Sequence, residues 1–146
     1  MSLQNTEKQN IKVMLRTTID NGSETDTFEL TAFGTKFSKG NALYLQYTEE
    51  SENGKTQTTI KYKESETLLM RSGAVKMRQV FSLAEITNGH YESMYGTMAM
   101  QTRTKLVSHI WNVEKREGKF LFDYDLFMQG DLLGQYEMVI AYKEEA

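Results

Sequence analysis

Apolar and polar residues alternate along nearly the whole chain. Ile11, Val13, Leu15 and Ile19 share one parity, with Lys12, Arg16 and Thr18 on the other. Leu43, Leu45 and Tyr47 repeat the pattern, as do Ile60 and Tyr62, then Val75, Met77 and Phe81. The cleanest run is Phe120, Phe122, Tyr124, Leu126 and Met128, with Asp123 and Asp125 between them, and Leu132, Tyr136, Met138, Ile140 and Tyr142 form the last. Successive side chains of a strand point to opposite faces, so this period predicts strands buried on one side. Asn21-Gly22, Lys39-Gly40, Asn53-Gly54, Ser72-Gly73, Asn88-Gly89, Glu117-Gly118 and Gly130-Asp131 punctuate the runs as turn signals. No helical pattern intervenes, and the expected fold is an all-β antiparallel meander.

Hairpin register follows from the turns. A two-residue turn at Asn53-Gly54 sets Tyr47 opposite Ile60, and one at Glu117-Gly118 sets Val113 opposite Phe122 and Trp111 opposite Tyr124. A three-residue loop at Gln129-Gly130-Asp131 aligns Met128 with Leu132, Tyr124 with Tyr136 and Phe122 with Met138. The three hairpins then share one buried face, as a closed barrel requires; an open sandwich is the rival. Parity breaks twice, near Phe33-Gly34 and after Met98, Met100 and Leu106, where Val107, Trp111 and Val113 take the other parity; a β-bulge near each switch would keep the apolar side inward. Ser82 to Ile86 is the one stretch expected to form a helical turn. Residues 1–8 read as a flexible N-terminal segment ahead of a single domain over 9–146.

Composition narrows the chemistry. At 146 residues the chain is long enough for one domain with a real core. It has no Cys, which removes disulfides, thiolate catalysis and Cys-held metals. A net charge of −3 argues against a nucleic-acid partner. The start lacks the apolar stretch of a signal peptide and no run has the length of a membrane-spanning helix, so a cytoplasmic protein without membrane attachment is expected.

Motif fragments dissolve on inspection. Gly54-Lys55-Thr56 resembles the end of a P-loop, but it joins two strands and Glu49 stands where a Gly is needed. His90 and Glu92 match part of the deaminase signature, whose Pro and Cys residues this chain lacks. A metal on His90, Glu92 and distant His109 is a weak ligand set, and His109, on the parity of Trp111, reads as a hydrogen-bonded barrel histidine. Asp123 and Asp125 could pair as acid and base, but their parity turns them to solvent. Tyr62 between Lys61 and Lys63 has the look of a base-stacking platform, but alternation puts the ring inside. No catalytic motif, metal site or cofactor site is found, and a non-enzymatic protein is expected. Gln79, Thr102 and Thr104 carry inward parity among Met and aromatic residues. They suit either a ligand pocket or a self-satisfied network in a filled barrel.

Several segments resemble the YwiB-like family of small bacterial proteins of unknown function. They are Thr59–Glu64, Leu69–Gly73, Met77–Phe81, Tyr91, Gly96, Met98–Thr104, Tyr124–Leu126 and Gly134–Tyr136. The resemblance spans about Ile11 to Tyr142 and departs at Met94, where the family commonly carries Pro. It implies a calycin-like (lipocalin-like) up-and-down barrel of about eight to ten strands and assigns no catalytic residue. The lipocalin Gly-x-Trp start is absent, since the single Trp is Trp111. The leading expectation is a binder of a small, partly apolar or anionic ligand, lined by Arg71, Gln79, Thr102, Thr104 and Tyr124. Arg71 would anchor an anionic head, and an open cavity of about 300 Å³ or more should hold the ligand. The alternative is an interaction module or homodimer with a filled barrel, to which Leu106 and Ile110 would lend an outward apolar patch.

Overall fold

The structure, a computed structural model, describes residues 7–145. The expected N-terminal segment therefore lies largely outside the described residues. Ten strands follow in order: β1 (Gln9–Asp20), β2 (Thr25–Lys39), β3 (Ala42–Ser51), β4 (Gly54–Tyr62), β5 (Thr67–Gly73), β6 (Lys76–Phe81), β7 (Ile86–Ser93), β8 (Gly96–Asn112), β9 (Glu117–Met128) and β10 (Asp131–Glu144). Each pairs antiparallel with its sequence neighbours, and β1 pairs with β10 to close the barrel. The all-β, up-and-down barrel read from the alternation is the fold.

Most inward positions are those the parity assigned; Phe28, Phe33, Val113 and Leu132, read as apolar-face residues, are exposed instead, the last two at or beside turns. Ile11, Val13, Leu45, Ile60, Leu69, Phe81, Phe120, Phe122, Tyr124, Met138, Ile140 and Tyr142 form the buried core. A ten-stranded barrel is wider than the eight-stranded kind that ordinary side chains fill, and here aromatic rings take up the extra space. Phe81 lies 4.8 Å from Phe122 and 5.0 Å from Tyr124, centroid to centroid, and Tyr62 lies 5.3 Å from Phe120.

Several turns sit elsewhere than their sequence signals suggest. β3 pairs Leu45 with Ile60 and Tyr47 with Thr58, because the turn is Glu52-Asn53 and Gly54, at φ +118°, follows it. β8 pairs Trp111 with Gly118 and Val107 with Phe122, because residues 113–116 make the turn and Glu117-Gly118 already belongs to β9. Asn88-Gly89 is likewise inside β7. The last hairpin turns on Gln129-Gly130 alone, and a register shift between Leu132 and Gly134 then restores Tyr124 opposite Tyr136. The bulge expected in β8 is present between Thr104 and Leu106. The one expected near Gly34 is not: β2 runs in unbroken register against β1, leaving Phe33 exposed and Phe37 stacked outside on Tyr44 at 4.8 Å. Ser82–Ile86 is a tight connection with Ala84 at φ +64°, not a helical turn.

Candidate functional site

The two ends of the barrel are built differently. At one end, Trp111, Gly118, Tyr142 and Val13 are successive cross-strand neighbours on β8, β9, β10 and β1. Lys36, on the inward parity of Ala32, reaches this end. Its Nζ lies 3.6 Å from the Trp111 ring centroid and 2.6 Å from Glu144 Oε2. Arg116 Nε donates to Glu144 Oε1 at 2.6 Å. His109 Nε2 and Tyr142 Oη share a hydrogen bond of 2.7 Å, so the expected barrel histidine is in place. Burial, helped by Lys36, lowers the His109 pKa and keeps the ring neutral. This end is closed by the protein's own charges.

At the opposite end the inward row runs Tyr47, Thr58, Arg71, Met77, Tyr91 and Met98 across β3 to β8. Glu49 stands two residues above Tyr47 on the same face, 3.7 Å from the Arg71 guanidinium. Arg71 and Glu49 are partly exposed, so they stand at the mouth; Tyr47 and Thr58 beneath them are buried. Burial pushes the Tyr47 phenol up to about 12 against the pull of the Arg71 charge. Tyr47 Oη, Thr58 Oγ1, Arg71 Nε and Glu49 Oε1 are all buried without a hydrogen-bond partner of good geometry. Such atoms are rarely left without hydrogen bonds in a native interior, so this end differs chemically from the other.

The five residues singled out from sequence divide between two environments. Gln79, Thr102, Thr104 and Tyr124 are buried in the packed interior. Gln79 Nε2 donates to Thr102 Oγ1 at 3.0 Å, while Thr104 Oγ1 has no partner. Tyr124 stacks on Tyr136 at 5.3 Å, and burial raises its pKa above the ordinary phenol value. Arg71 alone of the five reaches the mouth. Sequence reasoning missed Tyr47, Glu49 and Thr58, although Glu49 on inward parity was a legible signal.

The expected open cavity along the barrel axis is corrected, because inward Phe and Tyr rings fill it. The structure has cavities elsewhere. One of about 690 Å³ opens beside Met14, Ile110, Val113 and Trp111, and one of about 350 Å³ lies beside Arg71, Arg78 and His90. Leu106 and Ile110 are exposed, as expected. Asp123 and Asp125 lie on the outer face but are less solvated than expected: Asp125 pairs with Lys105 at 3.1 Å, and Asp123 Oδ1 is buried without a partner. No group of three metal-binding side chains occurs among the described residues.

The molecule is thus a closed antiparallel barrel with an aromatic core, one end carrying the Lys36–Glu144–Arg116 ion pairs and the other a cluster of buried polar atoms around Arg71. The chain belongs to the family described as Domain of unknown function (DUF1934), which matches residues 13–140. It is 30% identical over 133 residues to the "Uncharacterized beta-barrel protein YwiB" of Bacillus subtilis (strain 168), covering 91% of this chain and 92% of that protein. The crystal structure of ywiB protein from Bacillus subtilis superposes with a TM-score of 0.86 at 30% identity, covering 97% of this chain and 96% of that one.

Proposed function

We propose that this protein is a non-enzymatic, cytoplasmic barrel that binds a small, partly apolar or anionic molecule at its open mouth. The observation that carries the reading is the cluster of buried polar atoms on Tyr47, Glu49, Thr58 and Arg71, held together by a loose 3.7 Å ion pair and by no well-formed hydrogen bond. A ligand oxygen that accepts from Arg71 and Tyr47 would satisfy donors that otherwise cost stability. Met77, Tyr91 and Met98, half-buried in the same row, offer an apolar wall for the rest of the molecule. The likeness of an up-and-down barrel to the calycins (lipocalins) fits this reading but does not supply it, since fold does not dictate function.

A second reading, an interaction module or homodimer, draws on the groove of about 690 Å³ with Met14, Ile110 and Val113 exposed around it. Native mass spectrometry of protein purified without denaturation separates the two. The first reading predicts a reproducible added mass on the monomer that disappears in Arg71→Met and persists in the exposed-surface control Lys119→Ala. A bare chain in both proteins contradicts it, and a bare dimer favours the second.

A further inference from the structure

We propose that the outer wall of the barrel carries a second binding site, for a small molecule bearing a phosphate dianion, in the groove that crosses β4 to β7. Arg78 and His90 are directly paired across β6 and β7 on the outer face, with Met70 of β5 on the other side of Arg78. Lys76 lies two residues along β6, on the same face. All three cationic or ionisable side chains are exposed, and they border a cavity of about 350 Å³ with Met70, Arg71 and Ser72. That volume lies in the range of small-molecule sites, about 300–1,000 Å³.

The groove gathers two cations that lack a carboxylate partner. On the outer wall Arg103 and Lys105 share Asp125, Lys55 faces Glu50 and Lys143 faces Glu117, while Lys12, Arg16, Lys61 and Lys119 have no ion-pair partner among the described residues. Lys76 and Arg78 have no ion-pair partner among the described residues. Glu92 stands opposite Lys76 on β7 without forming an ion pair with it, and accepts the Thr97 hydroxyl at 3.3 Å. A phosphate dianion matches the two fixed charges of Lys76 and Arg78, and its oxygens can accept from guanidinium, ammonium and the Ser72 hydroxyl together. The Met70 side chain beside them suits an apolar or flat group attached to that phosphate.

The test follows methionine methyl resonances during titration with phenyl phosphate, with benzoate as the singly charged comparison. Binding in the groove shifts the Met70 methyl saturably, while methyls across the barrel such as Met14 and Met138 stay fixed. Phenyl phosphate binds at least about tenfold more tightly than benzoate, and the double variant Lys76→Gln/Arg78→Gln weakens it by at least about tenfold. Both substitutions are on exposed side chains, and unchanged resonances elsewhere verify that the variant is folded. No saturable shift, equal affinity for benzoate, or an unaltered titration in the double variant overturns the proposal. The result is independent of the mouth site, because the double variant should retain any added mass that Arg71 holds.

Discussion

Burial alone would raise the carboxyl of Glu144, but hydrogen bonds from Lys36 and Arg116 hold it below the usual carboxylate range. The unfolded chain then takes up a proton before the native one does, so this network adds stability above the ordinary carboxylate pKa and loses it as acid titrates the native group. Glu144→Gln should be less stable by about 1–2 kcal/mol at pH 7, the worth of charge-assisted hydrogen bonds. Urea denaturation should show that gap narrowing as pH falls through and below the ordinary carboxylate range, as the native group takes up its proton. His109 acts in the same direction, since its lowered pKa makes the unfolded chain bind the proton first as pH falls through the imidazole range. The histidine's role was legible from its parity with Trp111. Lys36 was not, because the supposed parity switch at Gly34 hid that a lysine shares the inward face of Ala32.

At the scale of strands and turns, two glycines inside strands set how closely elements approach. A β-carbon on Gly118 would fall 2.1 Å from the Tyr142 ring, which lies directly over that backbone. One on Gly34 would meet the Gln46 carbonyl oxygen of β3 at 1.8 Å, far inside contact distance. Gly118→Ala should therefore cost about 1–3 kcal/mol through overpacking, while Lys119→Ala beside it, exposed, should be nearly neutral; chemical denaturation of both variants checks this. The same glycine explains why Glu117-Gly118 misled as a turn: a glycine demanded by a ring and a glycine demanded by a turn look alike in sequence. The inward faces survived these misplaced turns for a simple reason. The β3–β4 register, and the β8–β9 register between the turn and the bulge, differ from the expected ones by even numbers of residues, and an even shift leaves paired side chains on their own face; beyond the bulge the β8 parity changes with it. The β8 bulge was legible because an extra residue changes parity, though the sequence put the switch after Leu106 and the structure puts it before, leaving Leu106 exposed.

For the molecule as a whole, alternation determines what lies inside but not whether the inside is full. That depends on ring volumes and strand number together, and here Phe81, Phe120, Phe122, Tyr124 and Tyr142 fill a ten-stranded barrel down to the mouth. The sequence pointed to Arg71, but the value of that residue comes from Tyr47, Thr58 and Glu49 meeting it from β3 and β4 with polar atoms left unpaired. Which atoms lack partners is a property of three-dimensional placement, and no linear pattern carries it. The most direct measurement is a high-resolution crystal structure of protein isolated without denaturation. The account predicts non-protein density at the mouth within hydrogen-bond distance of Arg71 Nε and Tyr47 Oη. Arg71 and Tyr47 satisfied by neighbouring side chains alone, with the mouth closed over them, would contradict it.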